Sequence, residues 1–313
     1  MKSFLARRLL SGVVLVFVIS TLTFVLMRMT GTDVARNIAG VTASSAQVAE
    51  KKTELGLDRP VFSQYLDWLG GALQGDLGRS WFSGDPVTAT LTDKLPVTLS
   101  IVLGGLLLSA VVSVLLGVAA AVRGGVLDRV VQVVAVIGFA LPSFLVALIL
   151  AFFVGVKWGL LPATGYTTFA ESPGAWAQSV ILPSLSLAVG AIAATAQQVR
   201  GSMLDILAKD YIRTLRSRGL SNRSLLLKHA LRNAAPAALT VLGLQFIGLV
   251  GGAVVVEKVF GLAGIGSTAN VAAGQGDVPL LMGVVVVMVT LVVVVNLLLD
   301  VAQGWLNPKV RVG

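Results

Sequence analysis

The segment DYIRTLRSRGLSNRSLLLKHALRN, Asp210 to Asn233, is basic and amphipathic in a chain that is otherwise mostly apolar. It holds six Arg/Lys residues and the chain's single histidine. Of the 313 residues, 56% are apolar and 12% are charged, against about a quarter charged in a typical soluble domain. This composition indicates an integral membrane protein, because no soluble core of this size absorbs so much apolar sequence.

The charged and reactive residues exclude several kinds of site. Cysteine is absent, so the chain has no disulfide, no thiolate metal site and no cysteine nucleophile. A single histidine does not support a histidine-based metal site. The net charge of +9 is typical of membrane proteins, whose cytoplasmic loops collect Arg and Lys, and we therefore interpret it without nucleic acid as a partner.

Six stretches without charge are long enough to cross a membrane, which takes about 20 mostly apolar residues. In the fourth, Pro173 and Pro183 are expected to break the start of the helix. The predicted spans are Leu9–Met27, Leu95–Val122, Val130–Val156, Val180–Val199, Pro236–Val256 and Val278–Leu299. The beginning, MKSFLARR, is similar to that of a signal peptide, but the apolar run after it is too long, and we interpret it as a retained first span.

The distribution of Arg and Lys predicts that both termini are cytoplasmic. With that orientation, fifteen of the 24 basic residues and only four of the 15 acids lie inside. The Arg200–Arg232 loop contributes eight of these basic residues and decides the orientation. The other inside basic residues are Lys2, Arg7, Arg8, Arg123, Arg129, Lys309 and Arg311.

The longest outside segment, residues 31–94, is predicted to form two short helices. Ser44–Gly56 is polar and helical in pattern. The second helix starts at Pro60 and stops at Gly70-Gly71, and its spacing predicts one apolar face. That face comprises Phe62, Tyr65, Leu66 and Leu69. The segment either docks an outside partner or gates a pore, or it is a structural cap over the spans.

The chain has spans but no visible energy source. It lacks the phosphate-binding pattern GxxxxGK[ST], and the middles of its predicted spans hold no Asp, Glu, Lys or Arg to couple an ion gradient. The polar span residues Gln197, Gln245 and Asn296 either bond neighbouring helices or line a substrate path. A passive pore fits these absences, and so does a translocator driven by separate ATPase subunits.

The basic loop is predicted to be a helix, a glycine turn and a second helix. Met203–Ser217 has apolar residues at helical spacing, Gly219 can adopt the left-handed conformation that ends a helix, and Ser221 suits an N-cap. The second helix runs from Asn222 to Asn233, and Pro236 marks entry into the next span. Such a loop either binds lipid head groups or docks a cytoplasmic partner.

This segment resembles the cytoplasmic loop of ABC importer permeases. The family pattern is E-A-A, three residues, Gly, nine residues, Ile, one residue and Leu-Pro. Gly219 and Leu231 match it, whereas Arg213–Leu215 stand at E-A-A, His229 at Ile and Arg232 at Pro. DYIRTLRSRGL and KHALRN are nonetheless similar to the peptide-importer branch. Further similarity to its first permease subunit lies in RRLL, LGLDRPVFSQYLDWLGGALQGDLGRS, LPSF and EKVFGLAGIG.

The resemblance implies an all-α, six-span type I ABC importer permease, divided into residues 1–94 and a core of residues 95–313 with a coupling loop at 200–235. It implies a second homologous permease, two ATPase subunits, an extracytoplasmic binding protein and surrounding membrane lipid as partners. The chain would carry no cofactor and no catalytic site, since ATP and Mg²⁺ would bind the ATPases. The implied coupling residues are Asp210, Tyr211, Arg213, Thr214, Leu215, Arg216, Arg218, Gly219 and Leu220.

The implied cargo is a dipeptide or oligopeptide, and nickel chelates, glutathione and other small solutes are alternatives within the same branch. Two other classes of function stay open. One is a passive channel or secondary carrier, and the other is a membrane scaffold that only recruits a soluble partner.

Overall fold

The computed structural model describes residues 2–40 and 42–306, with side chains from residue 6 onward, and thirteen α-helices dominate this part of the chain. They are α1 (Lys2–Met29), α2 (Val34–Ala39), α3 (Ser45–Glu54), α4 (Val61–Leu73), α5 (Val87–Arg123), α6 (Gly125–Ala140), α7 (Ser143–Leu150), α8 (Pro173–Leu207), α9 (Asp210–Ser217), α10 (Asn222–Ser224), α11 (Arg232–Val259), α12 (Ile265–Gln275) and α13 (Val278–Leu306). Two π-helical segments continue α7 and α10, at Ala151–Lys157 and Leu225–Leu231.

Five helical stretches are long and apolar enough to span a membrane, and a bent pair of helices makes a sixth. The all-α, six-span prediction is therefore confirmed when the pair counts as one span. The prediction that Val130–Val156 is one helix is wrong, because α6 and the helix that begins at Ser143 meet at 99°. Pro142 disfavours helical backbone at Leu141, which is extended at φ −79° and ψ 120°.

Prolines do not break the start of the fourth span, contrary to expectation, and Pro236 does not mark the start of the fifth. Pro173 is the first residue of α8, where its missing N–H has no intrahelical partner in any case, and the Ser172 hydroxyl accepts a hydrogen bond from the N–H of Ala175 at 3.3 Å. The helix then continues through Pro183 to Leu207. Likewise Pro236 lies inside one helical stretch, Asn222–Val259, rather than at its beginning.

The described residues form two compact units, and α5 and α13 each contribute to both. The first unit contains Leu99–Leu262 and residues 292–306. Its helices α5 and α8 approach closely at glycine positions: a Cβ added at Gly117 would lie 2.7 Å from the Ala196 carbonyl oxygen. Nearer the other end of α5, the Ser184 hydroxyl donates to the Ile101 carbonyl at 3.1 Å. Small residues thus set the spacing of these spans.

The second unit contains Ala6–Thr98 and Ala263–Leu291. One of its clusters joins Phe24, Tyr65, Val278 and Met282. The carboxylate of the fully buried Asp277 accepts hydrogen bonds from the Ser80 hydroxyl and from the backbone N–H groups of Trp81 and Leu280. A buried carboxylate needs such partners, and here they tie the start of α13 to the loop before α5.

The segment of residues 31–94 has three helices before α5, not two, since α2 was not predicted. Ser44 caps α3 in a capping box with Gln47, one residue before the helix begins. The predicted apolar face of α4 is wrong in part: Tyr65 is buried and Leu69 packs against the same cluster, whereas Phe62 and Leu66 are exposed. Trp68 takes their place in the cluster. The helix also passes Gly70-Gly71 and ends at Leu73.

Two expectations from the sequence remain predictions. One is the division of the chain into parts at residues 94 and 95. The other is the cytoplasmic placement of both termini, for which Lys309 and Arg311 lie outside the described residues and only the backbone of Lys2 is described.

Gly117 allows the close approach of α5 and α8, so Gly117→Ala should destabilise the protein by about 1–3 kcal/mol through overpacking. The added Cβ would meet backbone of α8, which cannot rotate away. Thermal unfolding of the purified protein in detergent measures this effect. Gly201→Ala, on α8 with open space around it, is the matched control and should leave the unfolding midpoint unchanged or slightly higher. Equal midpoints for both variants would contradict this packing.

Candidate functional site

The basic loop begins with a separate helix rather than with an extension of the fourth span. Met203–Ser217 was predicted as one helix, and this is wrong: α8 ends at Leu207 and α9 begins at Asp210. Between them, Lys209 is extended, at φ −69° and ψ 145°. The chain therefore turns before α9, and this two-turn helix is set apart from the span that precedes it.

One face of α9 is anchored and the other is exposed and cationic. Ile212 is buried, and Leu215 is half-buried. The apolar spacing of the sequence predicts Tyr211 on the same face as Leu215, and this is wrong, because Tyr211 is 41% exposed and Ile212 is the buried residue of α9. Arg213, Arg216 and Arg218 are exposed, as are Asp210 and Thr214. Arg213 pairs with Asp210 at 3.5 Å, a solvent-exposed contact that contributes little stability.

Gly219 ends α9 as predicted. Its φ is +80°, in the left-handed region that disfavours a side chain. The N–H of Gly219 bonds to the Arg216 carbonyl, and the N–H of Leu220 bonds to the Leu215 carbonyl at 3.3 Å, which together form a Schellman motif. Ser221 then accepts from the N–H of Ser224 and caps α10, which confirms the predicted N-cap. The glycine turn is thus defined by hydrogen bonds on both sides.

The second helix of the loop does not stop at Asn233 but becomes the fifth span. It widens into the π-helical segment Leu225–Leu231, which sequence periodicity did not indicate. Asn233 reaches back to this segment, and its Nδ2 donates to the His229 carbonyl at 2.6 Å. The same Nδ2 lies 3.5 Å from the Tyr211 hydroxyl of α9. Segments of π-helix are rare in proteins, and those that occur are often found at functional sites. The junction between the loop and the fifth span is therefore a candidate functional feature.

A buried cluster connects the loop to three spans. Val199 and Met203 of α8 pack with Ala230 of the π-helical segment and with Ala234 of α11. Val114 and Val118 of α5 pack against the same cluster. Protein interiors are closely packed and transmit displacement. A force on the π-helical segment therefore reaches α5, α8 and α11 through side chains in contact.

An ion pair lies beside this cluster. Arg200 lies on α8, one residue after Val199, and forms a bidentate salt bridge with Asp128 in the first turn of α6. Its Nη2 is 2.6 Å from Asp128 Oδ2. Both side chains are largely shielded from solvent, with exposed fractions of 23% and 18%. Paired hydrogen bonds of this kind fix geometry as well as charge. The contact was not predicted, because the two residues are 72 positions apart.

The three predicted substrate-path residues have different surroundings. Gln245 of α11 lines a pocket of about 180 Å³ at the bend of the third span, together with Ser143, Gly190 and Gly248. Asn296 donates to the carbonyl of Val292 in its own helix. Its Oδ1 also lies against Gly243 of α11, where an added Cβ would come within 2.7 Å. Gln197 is half-buried on α8. Their assignment to a substrate path stays a prediction.

The surfaces of α9 and of the pocket beside Gln245 differ in the groups that they offer for contacts. Within residues 2–40 and 42–306, no group of three His, Cys, Asp or Glu side chains is placed to hold a metal ion. The arginine face of α9 offers guanidinium groups to a negatively charged partner, and Gln245 and Ser143 offer neutral polar groups to a small molecule.

Known proteins match the chain over almost its whole length. Residues 113–312 match the model of the binding-protein-dependent transport system inner membrane component, and residues 1–102 match the N-terminal domain of such components. A probable peptide ABC transporter permease protein of Sinorhizobium fredii is 37% identical over 99% of this chain and all of its own length. The glutathione transport system permease protein of Escherichia coli strain K12 is 34% identical, with 99% of each chain covered.

A solved structure supports the fold. A chain of the MetNI methionine ABC transporter, in an inward-facing conformation, superposes with a TM-score of 0.52 at 21% identity. The match covers 71% of this chain and 94% of that one. The all-α permease fold is thereby confirmed. With its apolar spans and the family match across both parts of the sequence, the chain belongs to the binding-protein-dependent transport system inner membrane components, the multi-pass inner-membrane permeases of ABC importers.

Proposed function

We propose that this permease imports dipeptides or oligopeptides, driven by ATP hydrolysis on two separate ATPase subunits that grip the loop of residues 200–235. A second homologous permease completes the pore, and an extracytoplasmic binding protein delivers the cargo. The observation that carries the proposal is α9: a short helix with an exposed arginine face, set apart from the spans and anchored by Ile212. ATP and Mg²⁺ belong to the ATPases.

The route of coupling runs from α9 into the membrane. Asp210, Arg213, Thr214, Arg216 and Arg218 form the exposed side that meets the ATPase. Movement would pass inward through Tyr211, whose hydroxyl lies 3.5 Å from Asn233 Nδ2. The next residue along the chain, Ala234, belongs to the packed cluster of α5, α8 and α11. A displacement of α9 would therefore reorient three spans together. The remaining residues of the coupling route are the half-buried Leu215 of α9 and the turn residues Gly219 and Leu220.

The choice of peptide as cargo rests on two supports. The relatives that match over nearly the whole chain are named for peptide and glutathione transport. The pocket beside Gln245 has neutral polar groups and two glycines, which suits a peptide backbone that needs hydrogen bonds but no counter-charge. Gln245 is the first candidate for a cargo contact, and Gln197 and Asn296 follow. Glutathione is the second candidate cargo, favoured by the named relatives, and a nickel chelate is a further alternative.

Reconstitution tests this function directly. The chain is inserted into liposomes with a second permease and two ATPase subunits, and ATP hydrolysis is measured with and without peptide-loaded binding protein. Binding protein loaded with peptide should stimulate ATP hydrolysis, and peptide should move from the side of the binding protein to the side of the ATPases. Peptide uptake by this chain alone, without ATP, would support the passive channel or secondary carrier instead.

Gly219→Val should uncouple transport while leaving membrane insertion normal. A β-branched residue at φ +80° costs about 1–3 kcal/mol, so the turn is remodelled and α9 is misplaced. We expect cargo-stimulated ATP hydrolysis to fall by about tenfold. Gly219→Asn is the matched control, since asparagine tolerates this conformation, and should retain most of the activity. Normal transport by the valine variant would refute the role of the turn.

Replacing Arg213, Arg216 and Arg218 by alanine together should weaken association with the ATPase by about tenfold, because exposed ion pairs contribute roughly 0.2–1 kcal/mol each. The affinity is measured by titrating ATPase onto the permease in detergent, at low and at high salt. High salt should weaken ATPase binding to the wild-type permease more than binding to the triple variant. Glu50→Ala and Asp93→Ala in the outside segment should leave association intact. A triple variant that binds as tightly as the wild type would remove the arginines from the interface.

A further inference from the structure

A wholly apolar cleft of about 360 Å³ lies between α6 and α8 in the first unit. Every residue that lines it is aliphatic or glycine. Leu127, Val131, Val134 and Gly138 form its α6 wall, at spacings of four, three and four residues, so they share one face of that helix. The opposite wall includes Val189, Ala193 and Ala196 of α8.

The cleft has the length of one leaflet of a bilayer. From Leu127 to Gly138 the helix rises about 16 Å, at roughly 1.5 Å per residue. This is about half of the ~30 Å hydrocarbon core of a membrane. At Gly138 the cleft closes, since a Cβ added there would contact Val189 and Ala193 at 3.4 and 3.5 Å. The cleft is open along its outer side, where Val130 and Val134 of α6 are more than half exposed.

Basic residues lie at the other end of the cleft. Arg123, exposed at the end of α5, follows the lining residue Leu116 by seven positions and therefore lies on the same face of its helix. Arg200 follows Ala196 by one turn of α8, and its charge is balanced by Asp128. Arg123 thus adds net positive charge at this end. Arg129 is also exposed, but lies about 200° around α6 from Leu127, on the opposite face.

We propose that the cleft binds one acyl chain of an anionic phospholipid, whose phosphate lies against Arg123. The predicted orientation places this end at the cytoplasmic leaflet. Three features combine to select this occupant: aliphatic walls along the whole cleft, a length that fits one leaflet, and a cation at the interfacial end. Basic residues next to intramembrane grooves on this side favour anionic head groups. The lipid would brace α6 against α8 beside the Asp128–Arg200 pair.

Photo-crosslinking with a lipid probe tests the site. The assembled transporter is placed in phosphatidylcholine liposomes that contain phosphatidylglycerol with a photoreactive group on its acyl chain, and adducts are mapped by mass spectrometry. Adducts should concentrate on residues 127–138 and 189–196. Val134→Trp should fill the cleft and reduce these adducts at least fivefold. Val136→Trp, on an equally exposed valine about 200° around α6, is the matched control and should change them little.

Arg123→Gln tests the head group without touching the cleft. It should reduce the preference for photoreactive phosphatidylglycerol over photoreactive phosphatidylcholine by about fivefold, whereas Arg129→Gln should preserve it. Because the chain has no cysteine, Val134→Cys supplies a unique reactive site. A cross-link from this cysteine to the second permease would show that a protein helix covers the cleft and would overturn the proposal. Equal labelling by the two lipids in the wild type would overturn it as well.

Discussion

The fold depends on one constraint: in a bilayer, each backbone N–H and C=O group must find its partner within the protein. This makes the spans long, continuous helices and makes each interruption informative. The third span bends by 99° at Pro142, and two residues separate the end of the fourth span from α9. Between α10 and α11 the hydrogen-bonding pattern widens to a π-helix, and Asn233 supplies a side-chain donor to the His229 carbonyl. The proposed ATPase contact and the proposed cargo pocket both lie at such interruptions.

The arrangement of the loop divides its residues into two roles. The exposed arginines of α9 offer charge to a partner, whereas Ile212 holds the helix in place. The cluster around Met203 and Ala230, at the base of the loop, joins α5, α8 and α11. Two rigid contacts lie close to this cluster, the glycine-spaced packing at Gly117 and the Asp128–Arg200 pair. This packing supports the proposal that movement at the loop is passed to several spans at once, a property that a passive anchor does not need.

Sequence was sufficient where the backbone demands a particular residue. Gly219 was predicted because glycine adopts the left-handed turn at the lowest cost, and Ser221 because its hydroxyl completes a cap. The spans followed from length and hydropathy. The gap between α8 and α9 was missed because the apolar spacing of Met203–Ser217 continues across it and Ala208-Lys209 carries no strong breaker. The burial of Ile212, and the pairing of Asp128 with Arg200, depend on contacts between distant segments, which periodicity does not report.

The proposal that an ATPase subunit binds α9 is tested by a distance-limited cross-link. The chain is naturally free of cysteine, so Arg216→Cys places one thiol on the exposed face of α9. In the assembled transporter, a short bifunctional reagent should join this thiol to an ATPase subunit, and the yield should change when ATP is added. A thiol at Glu50, in the segment predicted to lie outside, should give no such product. If the α9 thiol gives no such product in an assembled transporter whose ATPase subunits still respond to cargo, α9 does not contact the ATPase.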